Sequence, residues 1–202
     1  HVYIDCGLRH WLEKTPGAEV RILEIAIGTG LDAMLVAAES ESSGRPMAYT
    51  GIDIVKLPAE LTEQLGMRSI VGNRVFEEVN SAPWNASSAI IGGLMTIEKI
   101  EADAKIWLER EVASRQFDVI FMDAFAPEKQ PDLWTPQFIG LLAGILAPGG
   151  VMTTYCAKGA VRRAFTTAGL IAERLAGPSG GKREILRLSR PASLPTQNSP
   201  CQ

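Results

Sequence analysis

The sequence predicts an α/β fold built on a doubly wound, mostly parallel sheet, and two observations carry that reading. Short apolar runs of the kind that buried parallel strands show alternate with stretches of helical spacing. The first of these runs closes on a glycine turn, "GTGLDA", from which a helix begins. With 202 residues, 46% of them hydrophobic, the chain can fill the core of one globular domain.

Taken in order, "VRILEIAIG" (20–28) is an apolar run ending in glycine and predicts a buried strand, followed by a helix over "LDAMLVAAES" (31–40). "AYTGIDIV" (48–55) predicts the second strand, and "PAELTEQL" (58–65) a helix opened by proline. "NSAPWNASS" is loop-like, and "AIIGGLMTIEKIEAD" predicts a hairpin that feeds a third core strand. "AKIWLEREVASR" (104–115) is a helix and "FDVIFMD" (117–123) a strand. "LWTPQFIGLLAGILAPGG" reads as a helix interrupted early by Pro136 and stopped by Pro-Gly-Gly. "VMTTYCA" is a strand, "GAVRRAFTTAG" a helix and "KREILRLSR" a final strand. The domain is expected to span 1–190, with a disordered tail over 191–202.

Composition narrows the function. No apolar run approaches the roughly 20 residues of a membrane span. The opening "HVYIDCGLRH" lacks signal-peptide patterning and reads as mid-chain, so an upstream segment is expected. Three scattered cysteines, Cys6, Cys156 and Cys201, suit neither a disulfide framework nor a zinc cluster, and point to a reducing cytoplasm. The net charge of −3 does not advertise a nucleic-acid partner, yet residues 158–190 carry eight basic and two acidic side chains. That local excess is either a solvated face or a surface for a polyanion.

Ligands of doubly wound sheets bind at the carboxyl ends of the strands, so the residues there are the candidates. The first strand delivers Glu24 and then Gly28, Thr29 and Gly30, whose backbone can approach a ligand closely beside the free N–H groups of a helix start. Asp53 ends the second strand, placed to accept hydrogen bonds from ribose hydroxyls of either NAD or S-adenosylmethionine. Asp103 and Ala104 follow the third strand, where an acid and backbone amides can read an adenine; Asp103 also suits a helix N-cap. Asp123 ends the fourth strand. Behind it "AFAPEKQPDLW" holds Phe125 as a wall and stiffens the loop with Pro127 and Pro131. The conventional catalytic groups are scarce: the two histidines lie near the start, and neither a Gly-x-Ser-x-Gly elbow nor a Walker loop occurs. An already electrophilic methyl donor suits that scarcity, since the protein then has chiefly to position an acceptor and manage a proton. Two other readings stand beside it. One is an NAD-dependent oxidoreductase with Tyr155 as its acid/base; the other is a non-catalytic subunit of the same fold.

"LEIAIGTGLDA", "APWN", "IEADAKIWL", "FDVIFMDAFAPEKQPDLW", "LAPGGVMTTYCAKGAVRRAFTTAGL" and "GGKRE", in this order, resemble the methyltransferase domain of the MnmC family from about residue 2 to 188. The resemblance implies a class I S-adenosyl-L-methionine-dependent fold with a seven-stranded sheet. It implies methylation of the aminomethyl group on the wobble uridine of tRNA, giving 5-methylaminomethyl-2-thiouridine. Asp123 and Phe125 would be catalytic. Glu24, Gly28, Thr29, Gly30, Asp53, Asp103, Ala104 and Asp123 would hold the cofactor. Phe125, Pro127, Trp134, Lys158, Arg162, Arg163, Lys182 and Arg183 would hold the tRNA anticodon stem-loop. It also implies a cytoplasmic, stand-alone enzyme without a metal, served by a separate protein that makes the aminomethyl precursor. "DIVKLP" departs from the family, where relatives tend to have Glu and then a Lys-aromatic-Pro run.

Overall fold

The computed structural model describes residues 1–181 and 183–192. A π-helical stretch, Ile4–Arg9, runs into α1 (His10–Lys14). There follow β1 (Val20–Ile25), α2 (Leu31–Ser43), β2 (Met47–Asp53), α3 (Ala59–Gln64), α4 (Arg68–Val71), α5 (Asn73–Ser81), β3 (Ser87–Ile90), β4 (Met95–Glu101) and α6 (Ala104–Glu111). The chain continues through β5 (Phe117–Met122), α7 (Pro136–Ile145), β6 (Leu146–Thr154), α8 (Gly159–Thr167), β7 (Ile171–Ala176) and β8 (Glu184–Ser189).

The strands form one sheet in the order β3-β4-β2-β1-β5-β6-β8-β7. The pairs from β4 to β6 are parallel, and β3, β8 and β7 pair antiparallel. The sheet therefore has eight strands where seven were expected. The extra one is β3, the first arm of the hairpin that the sequence predicted ahead of β4.

Alternation along each strand sends side chains to two separate cores. Val20 and Ile22 of β1, Val119 and Phe121 of β5 and Tyr49 of β2 face α2, α5 and the N-terminal segment. Leu23, Ile25, Ile120 and Met122 face α6, α7 and α8. The same parity decides the site. Glu24 shares its face with Ile22, and Asp123 continues the face of Val119 and Phe121, so both acids point toward α2 and the N-terminal segment rather than toward α7.

Three local expectations are corrected. Pro136 does not interrupt a helix. It occupies the first turn of α7, where its missing N–H costs nothing, and Thr135 caps that turn by accepting from Phe138 N at 3.2 Å. Leu133 and Trp134 belong instead to a short 3₁₀ turn, Pro131–Trp134. The Pro-Gly-Gly segment is a bulge inside β6, where the register against β5 shifts between Phe117 and Val119. Several elements had no counterpart in the sequence reading: the N-terminal π-helical stretch with α1, the helices α4 and α5, and β7, an edge strand held by β8 and by the Arg187–Glu173 and Arg174–Glu184 ion pairs. Residues 193–202, the greater part of the expected tail, lie outside the described residues.

Gly150 marks how tightly the bulge is packed. A Cβ there would lie 2.8 Å from Ala147 O and 3.0 Å from Asp118 O, both backbone atoms that cannot step aside. Gly150→Ala is expected to destabilise the domain by about 1–3 kcal/mol in a urea titration, the usual cost of overpacking.

Candidate active site

The carboxyl ends of β1, β2 and β5 open into a cavity of about 520 Å³ lined by Glu24, Gly28, Thr29, Asp32, Asp53, Asp123 and Phe125, among others. A smaller cavity of about 180 Å³ shares Ala26, Asp53, Ile54 and Gln130 with it and adds Asp103 and Ala104. Most of the strand-end residues singled out from the sequence therefore border one continuous recess. Gly30 lies behind it, in a third recess of about 60 Å³ that also shares Gly28 and Thr29.

The glycine turn is set by backbone geometry. Gly28 and Gly30 have φ of 51° and 77°, which glycine adopts at no steric cost. Ala26 also sits at φ 69°, a strained conformation for a residue with a Cβ. Gly28 N donates to Asp53 Oδ2 at 3.0 Å and Val55 N to Asp53 Oδ1 at 3.2 Å, so one carboxylate ties the glycine turn to the loop after β2. Asp103 caps α6 with one oxygen, Oδ1, which accepts from Lys105 N and Ile106 N at 2.8 and 3.0 Å.

The loop after Asp123 is clamped from both sides. Phe125 N donates to Gln130 Oε1 at 3.1 Å, and Trp134 Nε1 donates to the Phe125 carbonyl at 2.8 Å. Tyr155 donates to the Ala124 carbonyl at 2.8 Å. With its backbone held, the Phe125 ring stands 71% exposed at the cavity mouth, beside exposed Ile54 and Val55. Trp134 is buried, braces this loop from behind and does not line the cavity.

Three carboxylates converge here. One oxygen each of Glu24, Asp32 and Asp123 lies within 4.8 Å of the others, the one grouping with metal-ligand spacing among the described residues. Asp32 is in the first turn of α2, the helix that covers the face carrying Glu24 and Asp123. Glu24 is fully buried and accepts from the Tyr49 hydroxyl. A Cβ at Gly51 would meet that tyrosine ring at 3.0 Å and Ile27 at 2.7 Å, so the glycine leaves the space the ring fills. Burial first, and then the neighbouring charges of Asp32, Asp123 and Asp53, hold the Glu24 carboxyl well above the usual carboxylate range. Burial and Asp123 push Asp32 up to about 7. Burial raises Asp123 as well, and the Tyr3 hydroxyl, donating to Asp123 Oδ1 at 2.5 Å, pulls it the other way. The cluster is thus arranged to hold protons.

The sequence reading missed Tyr3 and Asp32. Asp32 was in view, as the acid in "GTGLDA" that opens a helix; Tyr3 carried no local signal, because only the folded chain brings it to β5. It also missed Lys99, buried at the edge of the third recess with Nζ donating to Val79 O at 2.9 Å and Asn80 O at 3.2 Å, its pKa lowered by burial to about 8.

The basic segment divides. Arg187 pairs with Glu173 and donates to the Cys6 carbonyl, and Arg190 donates to the carbonyls of Ala143, Gly144 and Leu146 at the end of α7. These two brace the fold and are not free to grip phosphate. Lys158, just past β6, pairs with Glu128 of the clamped loop, while Arg162 and Arg163 lie on α8 and exposed Arg183 precedes β8. Lys182 lies outside the described residues.

A family model described as S-adenosyl-L-methionine-dependent methyltransferase matches residues 81–191. The tRNA 5-methylaminomethyl-2-thiouridine biosynthesis bifunctional protein MnmC of Pseudomonas fluorescens is 29% identical over 197 residues, which are 93% of this chain and 30% of that protein. The chain thus spans less than a third of that relative's length. Among solved structures, MnmC2 from Aquifex aeolicus superimposes with a TM-score of 0.67 at 22% identity, over 94% of this chain and 59% of the other. The N-methyltransferase NodS from Bradyrhizobium japonicum, in complex with S-adenosyl-L-homocysteine, superimposes with a TM-score of 0.51 at 19% identity, over 91% and 83%. The likeness to these structures establishes a shared fold.

The raised acids make stability depend on pH. Asp32 titrates near its ordinary 3.8 in the unfolded chain and near 7 in the folded one, so between those values the folded state binds more protons. Its contribution is fully present below pH 4 and is lost as pH rises through 7. Chemical denaturation of the ligand-free protein should show unfolding free energy falling across this window, and Asp32→Asn should flatten that fall.

Proposed function

The chain belongs to the S-adenosyl-L-methionine-dependent methyltransferase family, and we propose that its acceptor is the aminomethyl group of a modified wobble uridine in tRNA. The observation that carries this reading is the likeness, across 93% of the chain, to a protein named for the biosynthesis of 5-methylaminomethyl-2-thiouridine in tRNA. Family membership sets aside the NAD-dependent oxidoreductase. Tyr155, the acid/base that reading would need, has its hydroxyl engaged with the Ala124 carbonyl.

The residues fit the cofactor. A Cβ at Gly30 would meet nothing within 4 Å, and one at Gly28 only Ala26 O at 3.9 Å, so the glycine turn leaves space for a ligand on its surface. Asp53, already fixed by Gly28 and Val55, would accept from the two ribose hydroxyls. Asp103 uses Oδ1 as the helix cap, which leaves its second oxygen for an adenine amino group. Ile54 and Val55 supply apolar surface for the ring. The acids Glu24 and Asp32 suit the cofactor's positive charges. When bound, the cofactor supplies a methyl group on a sulfonium, which is electrophilic without further activation.

The protein's own work is then on the amine. An ammonium ion has no lone pair and cannot attack, so the acceptor must be neutral and aimed. Asp123, at the cavity wall, would accept a hydrogen bond from the amine N–H and turn the lone pair toward the methyl group. Methylation leaves a secondary ammonium, whose proton Asp123 can take. Phe125 would stack on the extruded uridine at the cavity mouth, in the manner of aromatic side chains that receive unstacked bases. Lys158, Arg162, Arg163 and Arg183 would meet anticodon phosphates, with Lys158 exchanging Glu128 for phosphate. We propose that the activity is cytoplasmic, where tRNA and free thiols coexist. The aminomethyl precursor would come from another protein or domain.

The test is methyl transfer from labelled S-adenosyl-L-methionine to two tRNA pools, one bearing aminomethyl-uridine at the wobble position and one bearing plain uridine. Label is expected in the first pool alone. Label in both pools, or in neither while the cofactor still binds, would overturn the assignment.

A further inference from the structure

We propose that Tyr3 is a positioning residue for Asp123, fixing one carboxylate oxygen through its hydroxyl so that the other is presented to the acceptor amine. The proposal rests on the amine-methylation reading above and adds to it a residue outside the strand-end motifs.

Geometry carries it. Asp123 leaves β5 on the face that continues Val119 and Phe121, and the N-terminal segment covers that face. The Tyr3 ring packs against Phe121 with ring centroids 5.4 Å apart and is only 8% exposed. This seating aims the hydroxyl at the end of β5. It stands 2.5 Å from Asp123 Oδ1 and 3.4 Å from the Met122 carbonyl, and its single hydrogen is committed by distance to the carboxylate. Neither other tyrosine duplicates the contact, since Tyr49 donates to Glu24 and Tyr155 to the Ala124 carbonyl.

The chemistry follows. Tyr3 is held protonated by its own burial and by the acids around it, so it acts as a fixed donor. A hydrogen bond to Oδ1 stabilises the charged form of Asp123, the form that can receive an amine N–H. The groups facing Asp123 from the surrounding elements are Glu24 of β1, Asp32 of α2, Tyr155 after β6 and Tyr3 itself. Burial favours a protonated Asp123, and the Tyr3 hydroxyl opposes it. It also removes the freedom of the carboxylate to rotate, which leaves Oδ2 as the oxygen for the amine.

Tyr3→Phe deletes the hydroxyl and keeps the ring. The Asp123 carboxyl, followed by carbon-13 NMR and assigned with Asp123→Asn, is expected to titrate about one to two pH units higher in Tyr3→Phe. The acidic limb of kcat/KM should move up by the same amount, with the loss shrinking at higher pH. Should Tyr3→Phe fail to fold, 3-fluorotyrosine at position 3 provides the converse test: its more acidic phenol is a stronger donor and should lower the Asp123 titration. An unmoved Asp123 titration, or a rate loss equal at every pH, would overturn the proposal. If the native protein does not methylate aminomethyl-uridine tRNA, the substrate assignment fails, while the carboxyl titration still decides whether Tyr3 tunes Asp123.

Discussion

Three carboxylates sit within 4.8 Å of one another at the carboxyl ends of β1 and β5, and the rest of the site is arranged around that repulsion. Like charges so close, in surroundings poorer in water than the surface, cannot all ionise. Protons and hydroxyl donors must share the space. Tyr49 reaches Glu24 because Gly51 leaves room for its ring, and Tyr3 reaches Asp123 because it packs on Phe121. A cationic cofactor beside Glu24 and Asp32 would relieve part of that repulsion and leave Asp123 to the acceptor.

The two cores divide the labour. One packs α6, α7 and α8 against the sheet and supplies a rigid back wall. The other packs α2, α5 and the N-terminal segment, and through strand parity it receives Glu24 and Asp123. Between them, the loop after β5 is pinned by Gln130, Trp134 and Tyr155. A clamped backbone lets a large aromatic side chain stand exposed at the mouth without collapsing into the cavity.

Much of this was legible in the sequence because it is local. The parallel strands announce themselves as apolar runs, Gly28 and Gly30 as a turn, Asp103 as a cap, and Asp53 and Asp123 by where their strands end. Strand β7 was not legible: none of its residues is buried, its middle is the charged pair Glu173 and Arg174, and it is a strand because β8 offers a partner and ion pairs. Pro136 misled because the same residue breaks a helix in its middle and starts one at its first turn. The basic run at 158–190 looked uniform, yet Arg187 and Arg190 are consumed by carbonyls and a carboxylate that only tertiary contacts supply. Tyr3, 120 positions from Asp123, could be placed only once the sheet was built.

The central claim is that Asp123 serves the acceptor and not the binding of the methyl donor. Asp123→Asn keeps the shape and removes the charge. Single-turnover methyl transfer, measured with the affinity for S-adenosyl-L-methionine in the same preparation, tests it most directly. Transfer slower by about 100-fold or more with affinity little changed is the predicted result. Transfer at the native rate, or a loss of transfer matched by an equal loss of affinity, would contradict it.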